Sequence, residues 1–543
     1  MRRTLLLTVL TTMLAHGLSA QAISPEPLRT RLFALADDSM MGRDPGTPGN
    51  FKAAEYVAAE FRKLGLTPAG DSGGWYQRVP LGRNSLDPAT ELIVGGSPLK
   101  LGVDYLPVGQ GDGSRDLAPS VAVYGGMLND PSSWISAEQA TGKVVVLFLA
   151  QDAPPRQLGA AIADPRLAGA CAVVAAELER LSAGNIQNLT RGQLIVGAPQ
   201  AREAAGPMMF IVSVPTAERM VGSRAGAASN QSTGVEVKGR VKTSFHSFDP
   251  PARNVVAVLP GSDPALRGEF VSITAHNDHV GLTAHPVEHD SIRAYDRVVR
   301  PMGADSPARP ATADEQTKIT AILDSLRKIR PARPDSILNG ADDDGTGTVA
   351  LLEIAGALSR MQVHPRRSIL FVSHTAEELG LLGSRWFTDH PTVPRDSIVA
   401  ELDMDMIGRG SVTDLPKGGP GYLEVVGVRR LSTEFGDTLE AVNARQPVPF
   451  LLNYEYDAPG HPLQYYCRAD HYSYARYGIP ATALSRGEHL DYHQVTDEPQ
   501  YIDYAALARV ANLVHDVALQ VANMSHRPLV NQPHGDPSSR CVQ

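Results

Sequence analysis

From Asn254 onward the sequence alternates short apolar runs with longer segments of helical periodicity. Runs this short and this apolar are typical of strands buried on both faces. They are Val255–Leu259, Phe270–Thr274, Ser368–Val372, Ile398–Leu402 and Pro480–Leu484, and the helical segments include Val349–Leu358 and Tyr504–Val521. We therefore predict an α/β fold with a mostly parallel mixed sheet flanked by helices.

The preceding part of the chain has a different texture. Pro27–Leu66 is predicted to be helical, and from about Leu86 short β-rich runs appear, with an Ala-rich helix predicted near Gly159–Ala176. A chain of 543 residues is long for one hydrophobic core. We predict that residues 23–85 begin the main domain, residues 86–248 form an inserted β-rich domain, residues 249–524 complete the main domain, and the proline-containing residues 525–543 form a disordered tail.

The first residues have the pattern of an export signal. Arg2 and Arg3 precede the apolar stretch Leu5–Leu18, which ends near the small residues Ala20 and Ala22. The stretch is too short to span a bilayer, and a small-x-small triplet after it is typical of a cleavage site. We predict a signal peptide over residues 1–22, a secreted or periplasmic protein, and no stable membrane insertion.

Charge and cysteine content exclude some functions. Lys and Arg number 50 and Asp and Glu number 59, so a net charge of −9 gives no electrostatic support for a nucleic-acid partner. The three cysteines form no Cys-x-x-Cys pair, so a metal site in this chain would have to use histidines and carboxylates.

Metal-capable residues follow the predicted strands. Function in such sheets collects just beyond the carboxyl ends of the strands. These residues are His276 and Asp278, Glu377 and Glu378, Asp403 and Asp405, and His493, with the acidic turn Asp342-Asp343-Asp344 before a predicted helix. Each signal alone fits a surface or helix-capping group. Several of them on one sheet predict a metal-binding cluster.

These segments resemble the co-catalytic zinc peptidases, a family that includes secreted bacterial aminopeptidases and the glutamate carboxypeptidases. The resemblance lies in Gly340-Ala-Asp-Asp-Asp-Gly-Thr-Gly347, Ala376-Glu-Glu-Leu-Gly-Leu-Leu-Gly-Ser384, Leu402-Asp-Met-Asp-Met-Ile-Gly408 and Asp491-Tyr-His493. The opening segment Met41–Gly49 also resembles that of the family. The β-rich insert, with Gly142–Val146 and Ala168–Val174, is similar to a protease-associated domain.

The resemblance implies a site for two zinc ions. His276, Asp343 and Asp405 would bind one ion, and Asp343, Glu378 and His493 the other, with Asp343 bridging. Imidazole and carboxylate ligands without thiolates leave zinc electron-poor, which suits a Lewis acid with room for water.

The same resemblance implies three catalytic residues beside the ligands. Glu377 would be the general base. Adjacent side chains in an extended or irregular loop point apart, so one of the two glutamates can face metal while the other faces the water. Asp278 would hold an imidazole N–H of His276. Tyr492 would donate a hydrogen bond to the oxyanion.

The resemblance also implies the activity: hydrolysis of peptide or protein substrates, with removal of N-terminal residues favoured. One alternative is a carboxypeptidase, which needs a cation for the substrate carboxylate, and Arg409 or Arg486 could serve. Others are a glutaminyl cyclase, which keeps the fold but uses one zinc, and an inactive receptor-like protein.

Two further segments have more than one interpretation. His285-Pro-Val-Glu-His289 has the inverted zincin spacing but is polar and contains a proline, so we interpret it as a chance match. The segment from Gly281 to Asp335 departs from the compact family pattern. It either covers the active site or is a surface excursion.

Overall fold

The computed structural model describes residues 22–108, 114–149, 164–181, 186, 189–190, 192–197, 206–224, 227–229, 234–300 and 309–543. The predicted signal peptide lies outside the described residues, except for Ala22. The chain divides into two compact units, one ending at Arg78 and resuming over Ala252–Gln543, the other spanning Val79–Pro251. The insert predicted from the sequence covers residues 86–248.

The first unit is built on a nine-stranded mixed sheet. Its main strands are β1 (Ala252–Leu259), β2 (Phe270–His276), β3 (Ser368–His374), β4 (Ile398–Met404), β5 (Tyr422–Val426) and β6 (Ala481–Ser485). They lie in the order β1-β3-β2-β4-β6-β5, and Thr67–Pro68, Tyr76–Val79 and Leu451–Asn453 pair at the two ends. The β2–β3, β2–β4 and β4–β6 pairs are parallel, which confirms the predicted fold class.

Helices cover both faces of this sheet. They are Pro25–Leu35, Pro48–Lys63, Gly347–Ser359, Leu382–Asp389, Thr433–Ala444, His471–Ala475 and Tyr504–Asn523. Gly347–Ser359 is apolar around almost its whole circumference because it packs between the sheet and the helices Pro25–Leu35 and Tyr504–Asn523. Within the described part of the chain, no helix is both long and apolar enough to cross a membrane.

The segment after β2 forms a small substructure. Strands Leu282–Glu288 and Pro334–Ile337 pair antiparallel, and helices His289–Val299 and Ala313–Arg327 lie between them in sequence. His285 lies in the first strand, whereas Glu288 caps the following helix. The two histidines of the inverted zincin spacing therefore do not share a helical face, as that motif requires.

The second unit is β-rich. Its strands are Leu81–Leu86, Glu91–Val94, Ser97–Pro98, Tyr105–Pro107, Ser114–Met127, Val144–Phe148, Ala172–Ala176, Gln193–Val196, Met208–Val212 and Glu236–Ser247, with helices Ala137–Ala140 and Val214–Val221. The prediction of an Ala-rich helix near Gly159–Ala176 is wrong for its last five residues. Ala172–Ala176 is a fully buried strand, parallel to Val144–Phe148 and Met208–Val212. Packing on both faces outweighs the helical preference of alanine there.

The tail, residues 525–543, is irregular but attached. A disulfide joins Cys541 to Cys467, and the side chain of Gln543 accepts a hydrogen bond from the Tyr466 N–H. The Leu529 N–H donates to Glu434. The tail therefore differs from the disordered segment predicted from its prolines.

Candidate metal centre

The parallel strands bring the candidate residues to one edge of the sheet. His276 is the last residue of β2, Glu377 and Glu378 follow β3, Asp405 follows β4 directly, and His493 lies in the loop after β6. Because β2, β3, β4 and β6 run in the same direction, their carboxyl ends lie side by side.

The five predicted ligands lie in one cluster with Asp343 at its centre. Asp343 Oδ1 is 3.2 Å from His276 Nε2, and Asp343 Oδ2 is 3.0 Å from His493 Nε2. On the first side, His276 Nε2 lies 3.7 Å from Asp405 Oδ1. On the second, His493 Nε2 lies 3.0 Å from Glu378 Oε2. One carboxylate thus turns an oxygen towards each of two ligand groups.

A residue absent from the sequence interpretation, His279, joins the second group. Its Nδ1 lies 2.7 Å from Glu378 Oε1 and 3.7 Å from Asp343 Oδ2. A Cβ at Gly340 would stand 2.5 Å from the His279 ring, so glycine at that position leaves space for the imidazole. The available signal was the second histidine in His276-Asn-Asp-His279, but the family resemblance directed attention to His276 alone.

The ligand atoms lack hydrogen-bond partners but are spaced closely enough to bind a metal ion. His276 Nε2, His493 Nε2, Asp405 Oδ1, Glu378 Oε1 and both ring nitrogens of His279 are buried and lack the geometry of a hydrogen bond to any described residue. Within each group the ligand atoms lie within 4.8 Å of one another. Buried polar atoms without partners are costly, and nitrogen and oxygen ligands at this spacing suit zinc. The two groups can hold metal ions.

The charge of the cluster leads to the same conclusion. Burial would lower the pKa of His493, but the carboxylates of Glu378 and Asp343 raise it to about 11. Burial would likewise raise the pKa of Asp343, but the imidazoles of His276 and His493 hold it well below its ordinary value. The cluster combines three carboxylates with three imidazoles that are neutral unless protonated, so it attracts positive charge, as protons or as metal ions.

The other two aspartates of the acidic turn have structural partners. Asp344 accepts hydrogen bonds from the N–H groups of His276, Gly347 and Met406. Asp342 accepts from the Thr346 hydroxyl and the Gly408 N–H. Only Asp343 of the three takes part in the ligand groups.

The buried Arg43, in the opening segment Met41–Gly49, connects two loops of the site. Its guanidinium donates to the backbone oxygens of Asn277, Asn339 and Gly340. It therefore joins the loop after His276 to the start of the acidic turn. The sequence interpretation noted this segment only as a resemblance and gave Arg43 no role.

Asp278 contacts both the histidine and the glutamates. Its Oδ1 lies 3.6 Å from His276 Nδ1, which is 3.2 Å from the Asp278 backbone oxygen. Its two carboxylate oxygens accept hydrogen bonds from the N–H groups of Glu377 and Glu378, at 3.2 and 3.4 Å. Asp278 therefore orients the loop carrying the two glutamates in addition to lying beside His276.

Glu377 and Tyr492 face the space beside the cluster. Glu377 Oε2 is 3.9 Å from His276 Nε2, and burial raises the pKa of Glu377 well above its usual range. The Tyr492 ring stacks on His493 with a centroid distance of 3.8 Å. His493 itself adopts a left-handed φ of 54°, a backbone conformation that costs free energy and concentrates at functional sites.

Two cavities adjoin the cluster, and Glu377, Glu378 and Tyr492 line both. The smaller has a volume of about 70 Å³ and also contains Asp343 and Asp405. The larger has a volume of about 640 Å³ and is bounded partly by the tail residues Pro537–Cys541. Among the described residues, none from the segment 281–335 lines either cavity.

The fold and the clustered ligands define an α/β domain with a candidate metal centre, and a known peptidase family matches its sequence. Peptidase family M28 matches residues 254–518. That part of the chain, which contains all six clustered ligand residues, is a domain of the M28 family.

Particular relatives are similar over this region. Leucine aminopeptidase 1 of Ajellomyces dermatitidis is 30% identical over 226 residues, 39% of this chain and 54% of the relative. Leupeptin-inactivating enzyme 1 of Streptomyces exfoliatus is 31% identical over 169 residues, 31% of this chain and 33% of that enzyme. The chain thus spans about half or less of the curated relatives it matches.

A solved structure has a similar fold. The aminopeptidase from Aneurinibacillus sp. strain AM-1 superposes with a TM-score of 0.51 at 16% identity, covering 95% of this chain and 99% of that one. At this level of identity the similarity concerns the fold.

Proposed function

We propose that this protein is a two-zinc aminopeptidase that releases N-terminal residues from peptides. The observation that carries the proposal is the Asp343 carboxylate, whose oxygens face His276 on one side and His493 on the other. A carboxylate in that position can bridge two ions. The names of the curated relatives, leucine aminopeptidase and leupeptin-inactivating enzyme, agree with it.

In this proposal each of the two groups of closely spaced ligand atoms would bind one zinc ion. His276, Asp343 and Asp405 would hold one ion, and Asp343, Glu378 and His493 would hold the other, with His279 as an additional ligand of the second. When bound, zinc supplies Lewis-acid polarisation of the scissile carbonyl and a lower pKa for the attacking water.

The chain's own residues handle the proton and the oxyanion. Glu377 takes a proton from the attacking water and passes it to the leaving amine. Asp278 keeps Glu377 in place through the hydrogen bond that its carboxylate accepts from the Glu377 backbone N–H. Tyr492, stacked beside His493, donates a hydrogen bond to the developing oxyanion.

The smaller cavity favours recognition of an N-terminus. Six carboxylates line it, three of which (Glu377, Glu424 and Glu488) lie outside the ligand groups, and such a surface attracts the free α-ammonium of a peptide. Its small volume suits a single residue, and the larger cavity has room for the remaining chain.

The two arginines suggested for a carboxypeptidase already have partners. Arg409 is ion-paired with Asp414 at 2.6 Å and Asp491 at 3.1 Å. The fully buried Arg486 donates to backbone oxygens, including those of Tyr422 and Gly419. Neither residue lines the two cavities beside the cluster.

One observation favours the carboxypeptidase as a second candidate. Four arginines border the larger cavity: Arg385, Arg468, Arg476 and Arg540. A substrate carboxylate could bind there if the peptide were read from its other end. Arg476 is paired with Asp389, which reduces the charge available.

Modified peptides distinguish the two. Acetylation removes the charge of the N-terminus, so it should lower kcat/KM by about 100-fold or more, whereas amidation of the C-terminus should have little effect. The reverse pattern would replace the aminopeptidase with the carboxypeptidase.

Zinc analysis should give two ions per chain, whereas a glutaminyl cyclase would hold one. Full activity after thorough demetallation would contradict the whole mechanism.

We also propose that residues 1–22 are a cleaved signal peptide directing export, and that Val79–Pro251 is a protease-associated-like domain. N-terminal sequencing of the exported protein tests the first proposal, because a mature chain that still began at Met1 would contradict it.

A further inference from the structure

Two paired strands form one wall of the smaller cavity. In β5 and β6, Glu424 is opposite Ser485 and Val426 is opposite Ala483. Alternate residues of a strand share a face, so these four side chains lie on one side of the sheet. All four line the cavity that also contains Asp405 and Glu377.

Glu424 is held in place on that wall. Its Oε1 accepts a hydrogen bond of 2.5 Å from the Tyr422 hydroxyl, which in turn accepts one of 2.9 Å from the Asn453 amide. A Cβ at Gly487 would stand 2.7 Å from the same oxygen, and Gly487 has a φ of +88°, so glycine is required there on two grounds.

The second oxygen of Glu424 has no partner. The side chain is 2% exposed, and Oε2 is buried without a hydrogen bond. In the described residues, no arginine or lysine forms an ion pair with it. Glu488, which also lines this cavity, differs because Arg468 Nη1 lies 3.5 Å from its carboxylate.

A buried carboxylate without a counter-ion is unfavourable. Burial raises the pKa of Glu424 to about 7, which reflects the missing positive charge. A cation entering the cavity would supply that charge and a hydrogen bond to Oε2.

We propose that Glu424 selects substrates whose first residue is lysine or arginine. This inference rests on the proposed aminopeptidase function and names its substrate class. The side-chain nitrogen binds Glu424 Oε2. The aliphatic stem passes along Met406, Val426 and Ala483, as the methylenes of long cationic side chains commonly do on apolar surfaces.

The test compares kcat/KM of the zinc-loaded full-length protein on lysyl, leucyl and glutaminyl 4-nitroanilides. The wild type should prefer the lysyl substrate. Glu424→Gln keeps the size and removes the charge, so the lysyl-to-leucyl ratio should fall about 10- to 100-fold, the range of a charge-assisted hydrogen bond. Leucyl hydrolysis and zinc content should stay within about threefold of wild type, a difference below that of one such bond.

Glu455→Gln is the matched control. Glu455 is an exposed glutamate paired with Lys417 outside the cavity, so its loss should leave the ratio unchanged within about twofold, as expected for a surface ion pair. A wild-type measurement avoids any folding defect of the variants. Free lysine should inhibit leucyl hydrolysis by the wild type more strongly than norleucine, which has the same carbon chain and α-ammonium but lacks the side-chain ammonium.

The outcomes separate this inference from the proposed function. Preference for leucyl or glutaminyl over lysyl substrate, with a ratio unaffected by Glu424→Gln, would overturn the role of Glu424 and leave the aminopeptidase intact. Stronger inhibition by norleucine than by lysine would do the same. If zinc-loaded wild type cleaved no substrate with a free N-terminus, both proposals would fail together.

Discussion

At the scale of single residues, Glu377 and Glu378 offer the sharpest contrast. Glu377→Gln should retain zinc, because Glu377 is outside both ligand groups, and should lower kcat by at least about 100-fold through loss of the base. Glu378→Gln should lose zinc instead. Metal analysis together with single-turnover rates decides between them. An inert Glu378→Gln with full zinc and an active Glu377→Gln would reverse the assignment.

His279 gives a second prediction. His279 belongs to the ligand group with Asp343, Glu378 and His493 and would offer a ring nitrogen to the metal, so His279→Ala should weaken zinc binding there by about 10- to 100-fold. Competition with a chelating dye measures this without assaying activity. His285→Ala is the control, since that exposed histidine lies outside both groups, and its affinity should match wild type. Equal affinity in His279→Ala would remove His279 from the ligand set.

The sequence was informative at this scale where chemistry is local. It predicted a His, Asp and Glu cluster at the strand ends, and the resemblance selected Asp343 from three consecutive aspartates. The structure places Asp343 alone in both groups, and its neighbours bind backbone N–H groups. Glu424 and the hydrogen bonds that fix it could not be foreseen, because they depend on which strands pair.

At the scale of elements, the loop containing Arg43 should control the geometry of the acidic turn. Arg43→Met removes the donor to three backbone oxygens and leaves them buried, so unfolding free energy should fall by about 3 kcal/mol or more. Chemical denaturation measures this. Arg83→Met, an arginine of the other unit, is the control. An unchanged unfolding midpoint in Arg43→Met would show that the turn is held by other contacts.

The strand predictions succeeded where burial is complete and failed elsewhere. All five runs predicted from Val255 onward are strands, because apolar residues on both faces permit little else. Tyr422–Val426 was missed because Glu424 interrupts its apolar run. Ala172–Ala176 was assigned to a helix because alanine favours helices. The neighbouring strands on both sides, and not alanine itself, determine the conformation of this segment.

At the scale of the whole molecule, the disulfide should contribute to stability. Cys467 and Cys541 are separated by 74 residues, and closing a loop of that size stabilises the folded state by about 4 kcal/mol in the chain-entropy account. Cys541→Ser should therefore lower Tm under oxidising conditions. Cys171→Ser, which removes the free cysteine, should change it little. Calorimetry with and without reductant checks both, and a Tm insensitive to reductant would contradict the prediction.

The same bond turns part of the chain into a covalent ring. The ring contains His493, the stacked Tyr492 and the helix Tyr504–Asn523, and its exposed arc includes Leu529. A ring cut once remains a single piece, so an attack by another protease near Leu529 would leave the nicked protein intact in electrophoresis without reductant. Only after reduction would a short fragment carrying Cys541 separate. The disulfide thereby lets the protein tolerate a break that would detach the same segment from a linear chain.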